Sequence, residues 1–432
     1  MRIADHRTVR YERTLRARIS AAALALNVDL AGADSLEEEI ARLLRSRELS
    51  DIWFVIATLT TVFPESAVVL EVSRSMRSND ENAAVESVIA ELRELTAEQW
   101  ARHPLVVEHE TIVDTHFTSA GHTFGDSRAI VDALSRAVVI AGGQHAVWSS
   151  DLTALMPMTH GVAQRHYALI PRHCHYVLPD LCDEPDRAAR LMSLAAHSGN
   201  STTSVGYGLG PLVAIDSFPS PSDEDGARRY NWHLAAVRTM DRVVAVSQTA
   251  AREYAGWKLM LEGLGVQGPE VSVIAAPKQP CSWGPTRPLV WALGENAAFG
   301  DYPTVVSAAD LLSSEGRMVD VRFVEANDPQ DLLRRPDAVV VMAPYLTHSA
   351  LLAGAAEAGV PVVAARSGFA AELAETVPVT IVEPHSVEEL VSALADVLGE
   401  ALVVSTATTD QYRAADAYAR EFFASVGWTA RV

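Results

Sequence analysis

The sequence predicts an α/β protein made of two doubly wound, Rossmann-like domains that face a cleft, preceded by an N-terminal helical extension. Three observations predict it. After Pro104, strand-length apolar runs alternate with helical stretches. A proline-dense polar stretch, PKQPCSWGPTRP from Pro277 to Pro288, interrupts that alternation, which then restarts. Strands and helices alternating at this spacing build a mainly parallel sheet covered on both faces, so each run implies one sheet. The length of 432 residues is too great for one ordinary core and fits two or three domains of roughly 150 residues.

Residues 1–100 read as helices, including TLRARISAAALALNV, SLEEEIARLLRSR and PESAVVLEVSRSMRS. Ser35 and Glu38 have the spacing of a capping box. Pro64 is expected in a first helical turn, with Glu65 at the positive end of the helix dipole. DIWFVIATLTTVF is expected to be a buried helix, although its β-branched residues also allow a strand. The extension carries no obvious chemistry and reads as a packing element or a homodimer contact.

Residues 101–284 form the first domain. LVVEHETIVDTHF leads through a turn containing Gly125 into the helix DSRAIVDALSRAVVIAGG. HAVWSS, HYALIP and TTSVGYG are strand-like, with EPDRAARLMSLAAHS a helix among them. RYNWHLAAVRTM, RVVAVS, TAAREYAGWKLMLEGL and EVSVIAA then alternate helix, strand, helix, strand. Residues 285–405 repeat the alternation from PLVWALG to VEELVSALADVL as the second domain, and residues 406–432 supply a helix expected to return to the first.

Composition narrows the class. Hydrophobic residues make up 49% and charged residues 21%, the profile of a folded chain. A formal net charge of -20, with Lys258 and Lys278 the only lysines, disfavours attraction to nucleic acid or anionic lipid. The cysteines Cys174, Cys182 and Cys281 form no C-x-x-C pair, and no secretory leader opens the sequence, so a reduced cytoplasmic location is expected. The longest apolar runs fall far short of the ~20 residues of a membrane span.

DRVVAVSQTAAREYAG and GPEVSVIAAP, then DAVVVMAP, AGAAEAGVPVVAARSGFAAELAE and VTIVEPHSVEELVSALADVL, stand in an order that resembles the retaining GT-B glycosyltransferases of the family-4 type. VVEHETIVDTHFTSAGHTFGDSR, ALIPRHCHYVLPD, RAARLMSLAAHSGNSTTSVGYGLGPL and GLGVQGPEVSVI are similar to a bacterial subgroup with a helical leader. The resemblance covers roughly residues 104 to 400. It implies transfer of a sugar from a nucleotide-diphosphate donor, held by the second domain, to a small-molecule or glycan acceptor in the first. It includes enzymes of antibiotic-sugar and polysaccharide assembly, some placing sugar on sulfur, and implies neither metal nor cofactor.

In such a fold ligands sit beyond the carboxyl ends of the strands, where helix N-termini favour anions. The matching turns place Gly294, Glu295, Asn296, Glu325, Thr347, His348, Ser349, Arg366 and Gly368 as donor-binding candidates. Gly294 and Gly368 would let the backbone approach phosphate or sugar closely, while Arg366 offers a fork of donors to phosphate. His116, Gly125, His145 and Tyr207 are the acceptor-side candidates, with His116 also the catalytic candidate. His173, Cys174 and His175 present a His-x-His strand beside a cysteine, a zinc-like pattern that no second motif completes.

The chain also departs from the family. Its two donor-sugar glutamates fall on Leu346 and Gly354, the diphosphate-neutralising Arg and Lys are missing from ALGENAAFG, and Gly208 stands where an acid is expected after Tyr207. These losses open an alternative: a catalytically degenerate pseudo-glycosyltransferase serving as a binding or scaffold subunit.

Overall fold

The computed structural model describes residues 6–120, 127–159, 161–209, 221–276, 289–293, 301–314, 319–324, 336–400 and 411–427. The 277–288 stretch lies outside the described residues.

Helices α1 (His6–Leu26), α2 (Leu36–Leu43), α3 (Leu49–Thr60), α4 (Ser66–Arg77), α5 (Glu81–Glu94) and α6 (Ala97–Ala101) open the chain. Ser35 caps α2 by accepting the Glu38 N–H at 3.2 Å, but the Glu38 carboxylate reaches the Asp34 N–H instead of closing the box on Ser35. A complete capping box stands at Thr96 and Gln99, at the start of α6. Pro64 lies outside helix α4, ahead of its N-cap Glu65, because the chain runs extended there before turning helical. The apolar run around Trp53 is the helix α3, buried continuously from Ile52 to Thr60.

These helices share a core with the sheet that follows, since Trp53, Phe54 and Phe63 lie in one buried cluster with Trp148, Leu169 and Tyr176. Phe63 meets Trp53 edge-on at 5.2 Å and Trp148 at 5.3 Å, so one ring joins the helical layer to the sheet. Arg18 is buried beneath them. Its two terminal amino groups donate to the carbonyls of Leu59 (2.8 Å), Gln99 (2.7 Å) and Arg102 (2.9 Å), which offset part of the cost of burying the charge. Burial and the nearby Arg102 lower its pKa to about 10.

The first sheet has eight strands: β2 (Thr111–Asp114), β3 (Gln144–Trp148), β4 (Leu155–Thr159), β5 (Val162–Ala163), β7 (His175–Leu178), β8 (Ser201–Gly206), β9 (Arg242–Ala245) and β10 (Glu270–Val273). They lie in the order β10-β9-β8-β7-β2-β3-β4-β5 and are parallel except at the β3–β4 and β4–β5 pairs. β1 (His103–Glu108) and β6 (Tyr167–Arg172) form a separate parallel pair. LVVEHETIVDTHF is therefore two strands of two sheets, and the break falls at His109, held at φ 58°, and Glu110. The short helix α7 (His116–Ser119), α8 (Ser127–Ile140), α9 (Pro185–His197), α10 (Pro221–Val237) and α11 (Gln248–Gly263) connect the strands.

The second sheet is wholly parallel: β11 (Leu289–Leu293), β12 (Asp320–Val324), β13 (Ala338–Val341), β14 (Val362–Ala365) and β15 (Val379–Val382), in the order β12-β11-β13-β14-β15. Its connecting helices are α12 (Tyr302–Ser314), α13 (Ala350–Glu357), α14 (Gly368–Ala374) and α15 (Val387–Glu400). Strand β11 is buried at every position, as both faces of the sheet are covered by separate apolar clusters. The last helix, α16 (Gln411–Ser425), buries Tyr418, Phe422 and Phe423 with Ile130 and Leu134 of α8.

Phe63→Ala removes the ring shared by helical layer and sheet, and a large-to-small change at such a site costs about 3–5 kcal/mol. Urea denaturation is expected to show that loss in one transition, with the helical layer and the first sheet unfolding together.

Candidate functional site

Strand β2 ends in Asp114, a carboxylate with no exposure at the end of an apolar strand. The His116 N–H (3.0 Å), the Trp148 indole N–H (2.7 Å), the Arg187 guanidinium (2.9 Å) and the Tyr176 hydroxyl all donate to it. Burial opposes its charge, but Arg187 and Tyr176 outweigh burial and hold its pKa below the ordinary value.

Arg187, on α9, gathers the neighbouring acids. Its other amino group donates to the Leu181 carbonyl at 2.9 Å and to Glu184 at 3.4 Å. Asp180, also fully buried, stands 3.8 Å from the same guanidinium and accepts the Thr118 N–H at 3.0 Å. One cation cannot fully neutralise two buried carboxylates. Burial, only partly offset by Arg187 and reinforced by Asp114, raises Asp180 from its ordinary 3.8 to about 7. Glu184 is half-buried and pairs with His116 Nε2 at 3.5 Å. Burial resists its ionisation too, but the His116 hydrogen bond and the Arg187 charge pull it down to about 2.

His116 therefore sits half-buried at the carboxyl end of β2 with an ionised carboxylate behind it. His145 bonds Thr115 Oγ1 at 2.6 Å, and burial, partly opposed by Asp114 and Asp132, lowers its pKa. A cavity of about 640 Å³ borders His116 and a second of about 610 Å³ borders His145. Gly125 lies outside the described residues. Tyr207 is buried and donates its hydroxyl to the Pro179 carbonyl at 2.6 Å.

The carboxyl ends of the two sheets meet directly. Thr347, in the turn after β13, donates its hydroxyl to the Tyr207 carbonyl at 2.8 Å, while its own carbonyl accepts the Ser247 hydroxyl at 2.8 Å. Gly208 lies beneath Thr347 at φ 118°, where an added Cβ would come within 2.6 Å of the Thr347 hydroxyl. Side chains are excluded there by the opposing domain, which gives a physical reason for glycine at this position. Glu372 of α14 accepts the Gln248 and Thr249 N–H groups, both at 3.0 Å, and the Thr249 hydroxyl at 2.9 Å, so the positive end of α11 is capped from the other domain.

The donor-side candidates distribute unevenly. Gly294, Glu295, Asn296 and Glu325 lie outside the described residues. Thr347 is in the domain contact. Ser349 caps α13 by accepting the Leu352 N–H, and Ser367 caps α14 in the same manner. His348 meets Phe369 edge-on at 5.5 Å, and burial of its ring nitrogens lowers its pKa to about 4 although part of the residue reaches the surface. Gly368 gives close approach to Thr249, 2.7 Å from where a Cβ would stand. Arg366 is exposed, and its guanidinium pairs with Glu383 at 2.6 Å. Cys174 is buried with its thiol on the Val107 carbonyl, and His175 bonds Thr203 at 2.9 Å. Among the described residues no three His, Cys, Asp or Glu side chains gather as a metal site, and no helix is long and apolar enough to cross a membrane.

Sequence reasoning passed over Asp114, Asp180, Glu184 and Arg187, and also Glu372. The signals were present: acids closing the apolar strands TIVD and YVLPD, and an arginine one turn into the helix begun by EPD.

No protein-family model matches the chain, and no curated protein matches it in sequence. Among solved structures it is similar to a sucrose-phosphate synthase from Thermosynechococcus elongatus, with 13% identity over 73% of this chain and 94% of that one, at a TM-score of 0.46. An α,α-trehalose-phosphate synthase (UDP-forming) from Burkholderia vietnamiensis shares 12% identity over 74% of this chain and 94% of that one, at 0.43. TarM of S. aureus shares 11% over 58% of this chain and 52% of that one, at 0.37. The fold stands on the chain's own topology. A mainly parallel sheet and a wholly parallel one, meeting through the carboxyl ends of their strands, are the GT-B arrangement.

Two outcomes follow from this geometry. A raised carboxyl contributes stability fully below its unfolded pKa and loses it as pH rises through its folded one. Asp180→Asn is therefore expected to flatten the fall in melting temperature between about pH 4 and pH 7, read by thermal denaturation across that range. Gly208→Ala adds a side chain at positive φ against Thr347 and is expected to cost about 1–3 kcal/mol, with small-angle scattering showing more separated domains.

Proposed function

We propose that the chain transfers a sugar from a nucleotide-diphosphate donor to an acceptor seated in the first domain. The observation that carries this reading is the His116–Glu184 pair, at the carboxyl end of β2 beside a cavity of small-molecule size. The sheet that holds the pair meets the second sheet carboxyl end to carboxyl end, the ligand position of such folds.

The diphosphate is assigned to the second domain. The N-terminus of α13 lies in the turn that touches the first domain, and the backbone N–H groups of a helix start favour an anion. His116 would meet the sugar or acceptor. Ionised Glu184 would orient its imidazole, and the buried Asp114–Arg187 pair would fix the strand end on which it stands. We assign a retaining outcome, with the donor's own phosphate oxygen taking the acceptor proton, so that no protein nucleophile is required.

A second reading, a scaffold subunit that keeps the fold without transfer, is favoured by two contacts. Arg366 is already paired with Glu383, and Thr347 is already bonded to Tyr207. Titration calorimetry with UDP, GDP, ADP and dTDP separates the readings. Transfer predicts binding of at least one of the four, and binding of none overturns it in favour of the scaffold. With a bound donor identified, His116→Ala is expected to lower kcat by about 10²-fold or more with the melting temperature unchanged.

A further inference from the structure

The two cavities beside α7 are one continuous surface feature, because Ser119, Met158 and Gly161 line both. Both are lined by residues of the β4–β5 hairpin, where the first sheet departs from parallel order. Strand alternation sends Met156 and Met158 to the same face. Val147, Trp148 and Ala163 complete the apolar wall on the His116 side, and Val131, Val139 and Ile140 complete it on the His145 side. Ile140 remains 86% exposed and Val139 55%, an apolar surface that the chain's own described residues leave uncovered.

Hydroxyl groups are interspersed along this feature, Ser119 and Ser150 in the first cavity and Thr118, Ser135 and Thr159 in the second, but most of the exposed wall is apolar. His116 stands in the first cavity, hydrogen-bonded to Glu184, and His145 in the second, hydrogen-bonded to Thr115. Among the described residues the acidic and basic side chains other than histidine are Glu98 and Arg165 in one cavity and Asp132 and Arg136 in the other. A mostly apolar wall with a small number of converging polar groups is the chemistry of a small-molecule site, and about 640 and 610 Å³ each lie within the usual range. A free sugar would leave this wall unused. Unbranched Met side chains, which adapt to irregular partners, suit an apolar body of variable shape.

We infer that the acceptor is an amphipathic molecule, whose hydroxyl- or thiol-bearing head meets His116 and whose apolar aryl or alkyl body lies across Met156 and Met158 into the second cavity. The inference rests on the transfer reading only in calling the molecule an acceptor. Its binding is measured without a donor, so failure here and failure to bind nucleotide are separate results.

Calorimetry with methyl, n-octyl and 2-naphthyl β-glucosides, the octyl compound below its micelle concentration, tests it on the full chain. At least one of the octyl and naphthyl glucosides is expected to bind tenfold or more tightly than the methyl one, the effect of burying about two methylene groups. An alkyl body is distinguished from an aryl one by which of the two wins. Met158→Asp places a charge where the cavities meet and is expected to remove that preference, while Met158→Leu keeps it. Ala163→Glu, on the short strand β5, reports the same loss should Met158→Asp fail to fold. Equal binding of all three glucosides, or a preference that survives both charged variants, overturns the inference.

Discussion

Arg187 is a guanidinium with no exposure, and the shape of the first domain's strand ends depends on it. A buried cation of this kind is tolerable only where carboxylates and carbonyls take its donors, and removing any partner leaves an uncompensated charge. Asp114 from the end of β2, Asp180 from the turn after β7 and Glu184 ahead of α9 converge on it. Two neighbouring strands of the sheet, β2 and β7, and the helix after β7 are thereby tied together at the strands' carboxyl ends. The result is also asymmetric in charge: Asp114 and Glu184 are held ionised, whereas Asp180 keeps its proton toward neutral pH. His116 inherits its orientation from this cluster, through its backbone N–H on Asp114 and its ring on Glu184.

The contact between domains uses the same kind of logic with an external carboxylate. The start of α11 is a place where free N–H groups and the helix dipole favour an anion. Glu372 occupies it from α14, and Ser247 covers the cap position itself by accepting the Ala250 N–H. Close approach is then limited by Cβ atoms, and glycine stands at both tight positions, Gly208 under Thr347 and Gly368 against Thr249. Two sequence features read as ligand contacts or lost acids, Gly368 and Gly208, thus have structural uses in bringing the sheets together.

The second sheet was legible because its central strands β11, β13 and β14 are buried on both faces and carry continuous apolar runs between helices of clear period. The break at His109 was less legible, since only two residues, His109 at positive φ and Glu110, separate two apolar strands that end in different sheets. The β4–β5 hairpin left a weak trace, because LMPMTHGVA mixes a proline and a glycine into a short strand pair. The site was legible only in part. His116 and His145 were found by residue type, but their partners Glu184 and Thr115 depend on which strand ends lie side by side, and that order is a property of the folded sheet.

The missing cations of the second domain can be weighed against what the chain does with the charges it has. In this acidic chain the arginines with the best geometry are committed internally: Arg18 to three carbonyls, Arg102 to Asp151, Arg187 to Asp114 and Glu184. Arg366 is different. Its partner Glu383 is half-exposed, and an exposed ion pair has a median worth of ~0–1 kcal/mol, small beside a charge-assisted bond to phosphate. Exchange of Glu383 for a phosphate oxygen is thus energetically accessible at Arg366, whereas none of the buried arginines could turn outward without abandoning a buried carboxylate or carbonyl. If a cation of the described second domain meets a donor's diphosphate, this balance selects Arg366 on energetic grounds as well as by its position after β14.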